Sequence, residues 1–237
     1  MRSTSRLLLV AVMAAAMSAG CRQTYPPDPA HDVDILSDGL PLKGSYYSPG
    51  KPGPAVLLIH QCNMNRHAWD SLTPDLVASG LHVLTFDQRG FGDTAGTRAD
   101  TVQAVEDANS ALDYLLAKAG VDARRVAVGG ASCGVTYSAS LATRRPQIKA
   151  LVLLSGWADD KARIHISNSQ SLAVFGVASE HSGGDAADIR QAVAASENPQ
   201  SASRIVRGNA HGVTMFDTDP ELKRTIVKWL SDRLSLE

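Results

Sequence analysis

The chain has 237 residues, of which 44% are hydrophobic and 20% charged, enough for one substantial globular domain. Its 23 basic and 24 acidic residues give a formal charge of −1, which excludes a basic nucleic-acid footprint. The apolar content excludes disorder, and three cysteines are too few for a disulfide scaffold.

The chain opens with a basic start, Arg2 and Arg6, followed by an eleven-residue apolar run, Leu7 to Met17. About 20 such residues are needed to cross a bilayer, so the run reads as a signal-peptide core. Ser18, Ala19, Gly20 and Cys21 follow it, and this ending resembles the lipobox of bacterial lipoproteins, with Ser18 where leucine is usual. The resemblance implies a signal peptide over 1–20, lipidation at Cys21, and attachment to a membrane of the cell envelope through lipid, facing the periplasm or exterior. Residues 21–31, with Pro26, Pro27 and Pro29, read as an extended tether.

From residue 32 onward one domain is expected. Strand-like segments lie at 32–37 and 41–48, and Pro54 to His60 is a continuous apolar run of buried-strand length. A helix is expected over Ala68–Ser79, stopped by Gly80, and a strand over His82–Asp87. Val102, Val105, Ala108, Leu112 and Leu115 mark an amphipathic helix closed by Gly120. Strands are then expected at 125–129, 149–154 and 172–178, with a weaker one at 203–207, and helices at 133–144 and 184–195. Asp219 and Pro220 open a final helix whose apolar face is Leu222, Ile226, Leu230 and Leu234. Strands alternating with helices predict an α/β fold, a mostly parallel sheet covered on both faces.

Between the strand near 125–129 and the next helix lies Gly130-Ala131-Ser132-Cys133-Gly134, the G-x-S-x-G pattern of a nucleophile elbow. A turn sharp enough to lift a serine hydroxyl over the sheet crowds the positions two before and two after it, and glycine relieves the crowding. Serine needs a base to take its proton. Of seven histidines, His165, His181 and His211 follow the elbow, and His211 lies on the Gly208–Gly212 loop between the last strand and last helix, where it can reach Ser132.

These features resemble the α/β-hydrolase superfamily, and within it the dienelactone-hydrolase-like branch. The likeness spans roughly 32–237 and takes in Asp87-Gln88-Arg89-Gly90-Phe91-Gly92 and His60-Gln61-Cys62. Only about sixteen residues separate Ser155 from Ser171, too few for the helical lid many members carry. The resemblance implies a sheet of about eight strands and a serine hydrolase acting on a carboxylic ester, thioester or lactone. Its substrate would be a small molecule, with no cofactor and no metal.

The family's acid normally follows the seventh strand, where this chain reads Ala178-Ser179-Glu180-His181. Glu180 is the expected acid, with Asp185 next and Asp188, or no acid, as the remaining alternatives. The family's oxyanion hole maps to the backbone N–H groups of Cys62 and Cys133, which would then lie close enough for a disulfide; two buried free thiols are the competing state. Gly90 to Gly96 only approaches a dinucleotide fingerprint, since its third glycine falls one residue late. The rival to an esterase is a non-catalytic lipoprotein using the same fold as a binding or scaffolding surface. A carboxylate reaching His211 discriminates the two.

Overall fold

The computed structural model describes residues 30–235. The segment expected to be a signal peptide, Cys21 as the expected lipidation site, and all but the end of the expected tether lie outside the described residues.

Eight strands form one sheet in the order β1-β2-β4-β3-β5-β6-β7-β8. They are β1 (His31–Ser37), β2 (Leu40–Tyr47), β3 (Gly53–Ile59), β4 (His82–Phe86), β5 (Val121–Ala131), β6 (Ile148–Leu154), β7 (Ala173–Ser179) and β8 (Ala202–Val206). β2 is antiparallel to both β1 and β4, and every pairing from β4 across to β8 is parallel. The helices are α1 (Thr73–Ala78), α2 (Thr101–Leu116), α3 (Cys133–Ala142), α4 (Asp160–Asn168), α5 (Asp185–Ala194), α6 (Met215–Thr218) and α7 (Pro220–Leu234). This is the α/β architecture expected from the alternation of segments, a mostly parallel sheet with helices packed on it.

The continuous apolar run of β3 is explained by covering on both faces. Successive side chains of a strand point to opposite sides. Ala55, Leu57 and Ile59 join a core with Val105, Ala108 and Leu112 of α2 and Val135 and Ala139 of α3. Val56 and Leu58 join a second core with Leu76 of α1 and Leu222, Ile226 and Leu230 of α7. The four apolar residues of α7 are fully buried or nearly so, and Asp219 accepts a hydrogen bond from Glu221 N–H at the start of the helix.

Besides the short helix α6, which falls in the expected loop before the last helix, two segments differ from the sequence expectation. The helix expected over 68–79 is divided into a 3₁₀ turn, Arg66–Trp69, and α1. Pro74 explains the break: it has no N–H to continue a helix from residue 70, but fits the first turn of a new one. The helix α4, in the stretch between β6 and β7, was not expected. It buries only Ala162 and Ile166 and leaves Ile164 exposed, so its apolar period is short. Asp159 caps it by accepting from Ala162 N–H at 2.8 Å.

The Asp87–Gly92 segment after β4 is anchored by buried charge. Arg89 donates to both oxygens of Asp107 on α2, at 3.1 and 2.9 Å, and Ser37 Oγ donates to the same carboxylate at 2.7 Å. The Asp107 side chain is 1% exposed. Removing Arg89 therefore strands a buried carboxylate. Arg89→Met should lower the unfolding free energy by about 3–5 kcal/mol, and combining it with Asp107→Leu should recover most of the loss. Urea titrations of the single and double variants measure both.

Candidate active site

β5 runs directly into α3, and Ser132 is the residue between them. Its N–H still donates to Leu154 O of β6 at 2.9 Å, while its own carbonyl accepts from Val135 N–H at 2.9 Å. Serving sheet and helix from one residue forces φ 53°, ψ −119°, a region that L-residues rarely adopt. The crowding is visible on either side: a Cβ on Gly130 would overlap the Gly134 carbonyl, and one on Gly134 would press on Ile59 O.

His211 follows β8 on the loop leading to α6. Its backbone is held by Thr214, whose hydroxyl accepts from His211 N–H at 3.0 Å and donates to His211 O at 2.9 Å. The same loop is fastened to the end of β7: Glu180 N–H donates to Val206 O at 2.9 Å, His181 N–H to Gly208 O at 3.0 Å, and Ser179 Oγ to Ala210 O. His181 serves this anchoring, its Nδ1 also lying 3.2 Å from Gly208 O.

The acid position differs from the sequence expectation. Asp185 Oδ2 lies 3.3 Å from His211 Nδ1, whereas Glu180 is exposed and ends the β7–β8 pairing. Glu180 is too early: its backbone is still committed to the sheet, and the turn through Gly183 and Gly184 is needed to bring a carboxylate to His211 at the first residue of α5. Asp188, one turn further on, pairs instead with Arg163 at 3.2 Å. Burial pushes the Asp185 carboxyl above its ordinary value; His211 pulls it back down, and Asp188 adds to the rise.

Opposite the serine, the loop after β3 carries His60, Gln61 and Cys62. His60 is fully buried. Its Nε2 accepts from Gln88 N–H at 3.0 Å, which leaves the proton on Nδ1, donated to Gln61 O at 2.8 Å. Gln61 Oε1 accepts from Val213 N–H at 3.1 Å, tying this loop to the His211 loop. The amide fills the space beside Gly212, which has φ 61° and no room for a Cβ. Cys62 is joined to Cys133 by a disulfide, with Cα atoms 5.8 Å apart. Gln61, Thr214 and Arg98, whose guanidinium donates to Cys62 O, were not singled out from sequence.

Ser132, Cys133, Asp185 and His211 all line one cavity of about 410 Å³, together with Tyr137 and Trp157. Trp157 is 53% exposed and can meet a ligand here, whereas Trp69 is wholly buried. Among the described residues, no group of three or more His, Cys, Asp or Glu side chains is arranged to hold a metal ion.

His60 makes the stability of this loop pH-dependent. Burial pushes its imidazole below the ordinary value, against the raising effects of Gln61 O and Asp87. Below the unfolded value of about 6.5, the unfolded chain binds a proton that native His60 refuses. Stability is therefore fully present above that pH and lost as the pH falls below it, by up to about 1.4 kcal/mol per pH unit from this group. Unfolding free energies measured between pH 5.5 and 7 should show that slope, and His60→Gln should reduce it.

With this geometry in place, the chain can be compared with known proteins. The family model described as serine aminopeptidase S33 matches residues 50–230. An uncharacterized protein of Mycobacterium tuberculosis is 38% identical over 120 residues, covering 50% of this chain and 42% of that protein. A thiohydrolase of Arthrinium phaeospermum is 30% identical over 119 residues, covering 48% of this chain and 39% of its own length. These matches thus span less than half the length of the curated relatives. Among solved structures, a predicted CIB-like hydrolase from Thermoplasma acidophilum superposes with a TM-score of 0.73 at 18% identity, covering 86% of this chain and 99% of the other. The Pyrococcus furiosus esterase Pf2001 gives 0.71 at 16% identity, covering 87% and 94%.

Proposed function

Because the chain belongs to the serine aminopeptidase S33 family of α/β hydrolases, we propose that it is a serine hydrolase cleaving small carboxylic esters or thioesters through an acyl-enzyme on Ser132. The observation that carries this reading is the Asp185–His211 pair at 3.3 Å, in the same cavity as a serine held at φ 53°. A non-catalytic binding surface has no need of a carboxylate on that imidazole.

In the proposed mechanism Ser132 Oγ attacks the acyl carbonyl as His211 Nε2 takes its proton. Asp185 accepts from His211 Nδ1, fixing the tautomer and stabilising the imidazolium. The backbone N–H groups of Cys62 and Cys133 receive the developing oxyanion. His211 then returns the proton to the leaving alcohol or thiol, and water, deprotonated by the same imidazole, releases the acid.

Support for ester or thioester chemistry comes from the thiohydrolase relative, and the β6–β7 stretch contributes one short helix, α4. The dienelactone-hydrolase-like likeness belongs to the same reading, since it too rests on a chain without a helical lid. We further propose lipid attachment at Cys21 in the cell envelope, on the strength of the lipobox-like sequence.

A fluorophosphonate probe tests the mechanism without a known substrate. Stoichiometric modification should map to Ser132 and disappear in Ser132→Ala and His211→Ala. Hydrolysis of short acyl esters and thioesters should fall by about 10²–10⁴ in kcat for Asp185→Asn. Glu180→Gln should stay within about twofold, because its side chain is exposed and away from His211. Folded protein that takes no label overturns the hydrolase reading.

Attachment is tested separately. Metabolic labelling with an alkyne fatty acid should tag the wild type, and Cys21→Ala should lose the tag and move from the membrane to the soluble fraction.

A further inference from the structure

The disulfide joins the two residues that the proposed mechanism uses as oxyanion donors. They are 71 positions apart and arrive from different elements, Cys62 on the loop after β3 and Cys133 in the first turn of α3. Cys133 is already constrained: it begins a helix whose next residue, Gly134, abuts the Ile59 carbonyl. Cys62 is held from its other side, where Arg98 donates to its carbonyl and lies with its guanidinium 4.7 Å from the Phe91 ring centre. Phe91 in turn packs edge-on against His60 at 5.3 Å. The Cys62 backbone thus hangs between a side-chain network on the β4 side and a covalent bond on the nucleophile side.

Other interactions also hold this region together. β3 and β5 are paired along their length, the core on both faces of the sheet is closed, and Gln61, His60 and Arg98 fasten the loop by hydrogen bonds. What the bond adds is a fixed separation between Cys62 and Cys133. Oxyanion donors act at hydrogen-bond distance to an atom that carries full charge only in the transition state, so displacement of a few tenths of an ångström is felt in kcat before it is felt in substrate binding.

We propose that the Cys62–Cys133 disulfide is a positioning element of the oxyanion hole, and that its reduction by a thiol reductant switches the hydrolase down without unfolding it. This rests on the serine-hydrolase reading above. In the step, the S–S bond accepts two electrons and two protons to become two thiols, and a dithiol reductant such as dithiothreitol is oxidised to its cyclic disulfide. The change is reversible by reoxidation.

The test compares oxidised, dithiothreitol-reduced and reoxidised protein, with thiols counted by alkylation and peptide mapping in each. The oxidised protein should show Cys62 and Cys133 protected, and reduction should expose both. On a short acyl ester, reduction should lower kcat by about 10–100-fold with KM within about twofold, and the rate of fluorophosphonate labelling at Ser132 should drop in parallel. Reoxidation should restore both. The Cys62→Ser/Cys133→Ser variant should resemble the reduced enzyme and ignore dithiothreitol. Thermal unfolding should remain cooperative, with the midpoint well above the assay temperature, in the reduced and variant forms.

Unchanged kcat in protein with both thiols alkylatable overturns the proposal, as does free Cys62 and Cys133 in the protein as isolated under oxidising conditions. Loss of activity that tracks loss of cooperative unfolding also overturns it, by making the bond a fold staple alone. Absence of labelling in the oxidised form removes the hydrolase reading itself, and this proposal with it.

Discussion

Ser132 must end a strand and begin a helix with no residue between. Its N–H belongs to the sheet and its carbonyl to the first turn of α3, and it makes both bonds with a backbone at φ 53°. Such a conformation costs on the order of 1–3 kcal/mol and persists only where the surroundings over-determine it. Here they do, since β5 is flanked by β3 and β6, and α3 packs against β5, leaving the turn nowhere to relax. The glycines at 130 and 134 are consequences of that turn. So is the site itself, because the loops after β3, β7 and β8 all converge on the point where the serine emerges.

Around that fixed point, the other groups are held by backbone carbonyls and N–H groups more than by side-chain pairs. His211 is clasped by Thr214, its loop by the end of β7, and the oxyanion loop by Gln61 reaching across to Val213. Buried charge works further out. Asp87, fully buried, accepts from Arg66 and from Asp93 N–H at 2.9 Å, and Arg89 holds Asp107. These pairs fix the segment that supports His60, so the imidazole under the oxyanion loop keeps one tautomer.

What could be seen in the sequence depended on whether the determinant was local. Ser132 was legible because its requirement is a backbone one, written in the flanking glycines. α7 was legible because Asp219, Pro220 and four leucine or isoleucine residues at helical spacing specify it without outside help. The partner of His211 was not. Glu180 lies nearer the end of β7, but reach is set by the path of the 180–184 turn, and the carboxylate that arrives is the one at the start of α5. α4 was invisible for a different reason: a helix that buries two side chains leaves almost no period to read. The nearness of Cys62 and Cys133 came through likeness to a known topology, since nothing in either local sequence indicates the other.

The polarity of the sheet has one more implication. β2 is antiparallel to both of its neighbours, so β1 runs in the same direction as the parallel strands. The described chain therefore enters at the amino-terminal edge of the sheet, at His31, while Ser132, Asp185 and His211 gather at the carboxyl-terminal edge. Strands of seven residues separate those edges by roughly 23 Å at about 3.3 Å per residue. The point where the described chain begins and the cavity that holds Ser132 are therefore on opposite ends of the molecule, so a change at one does not crowd the other.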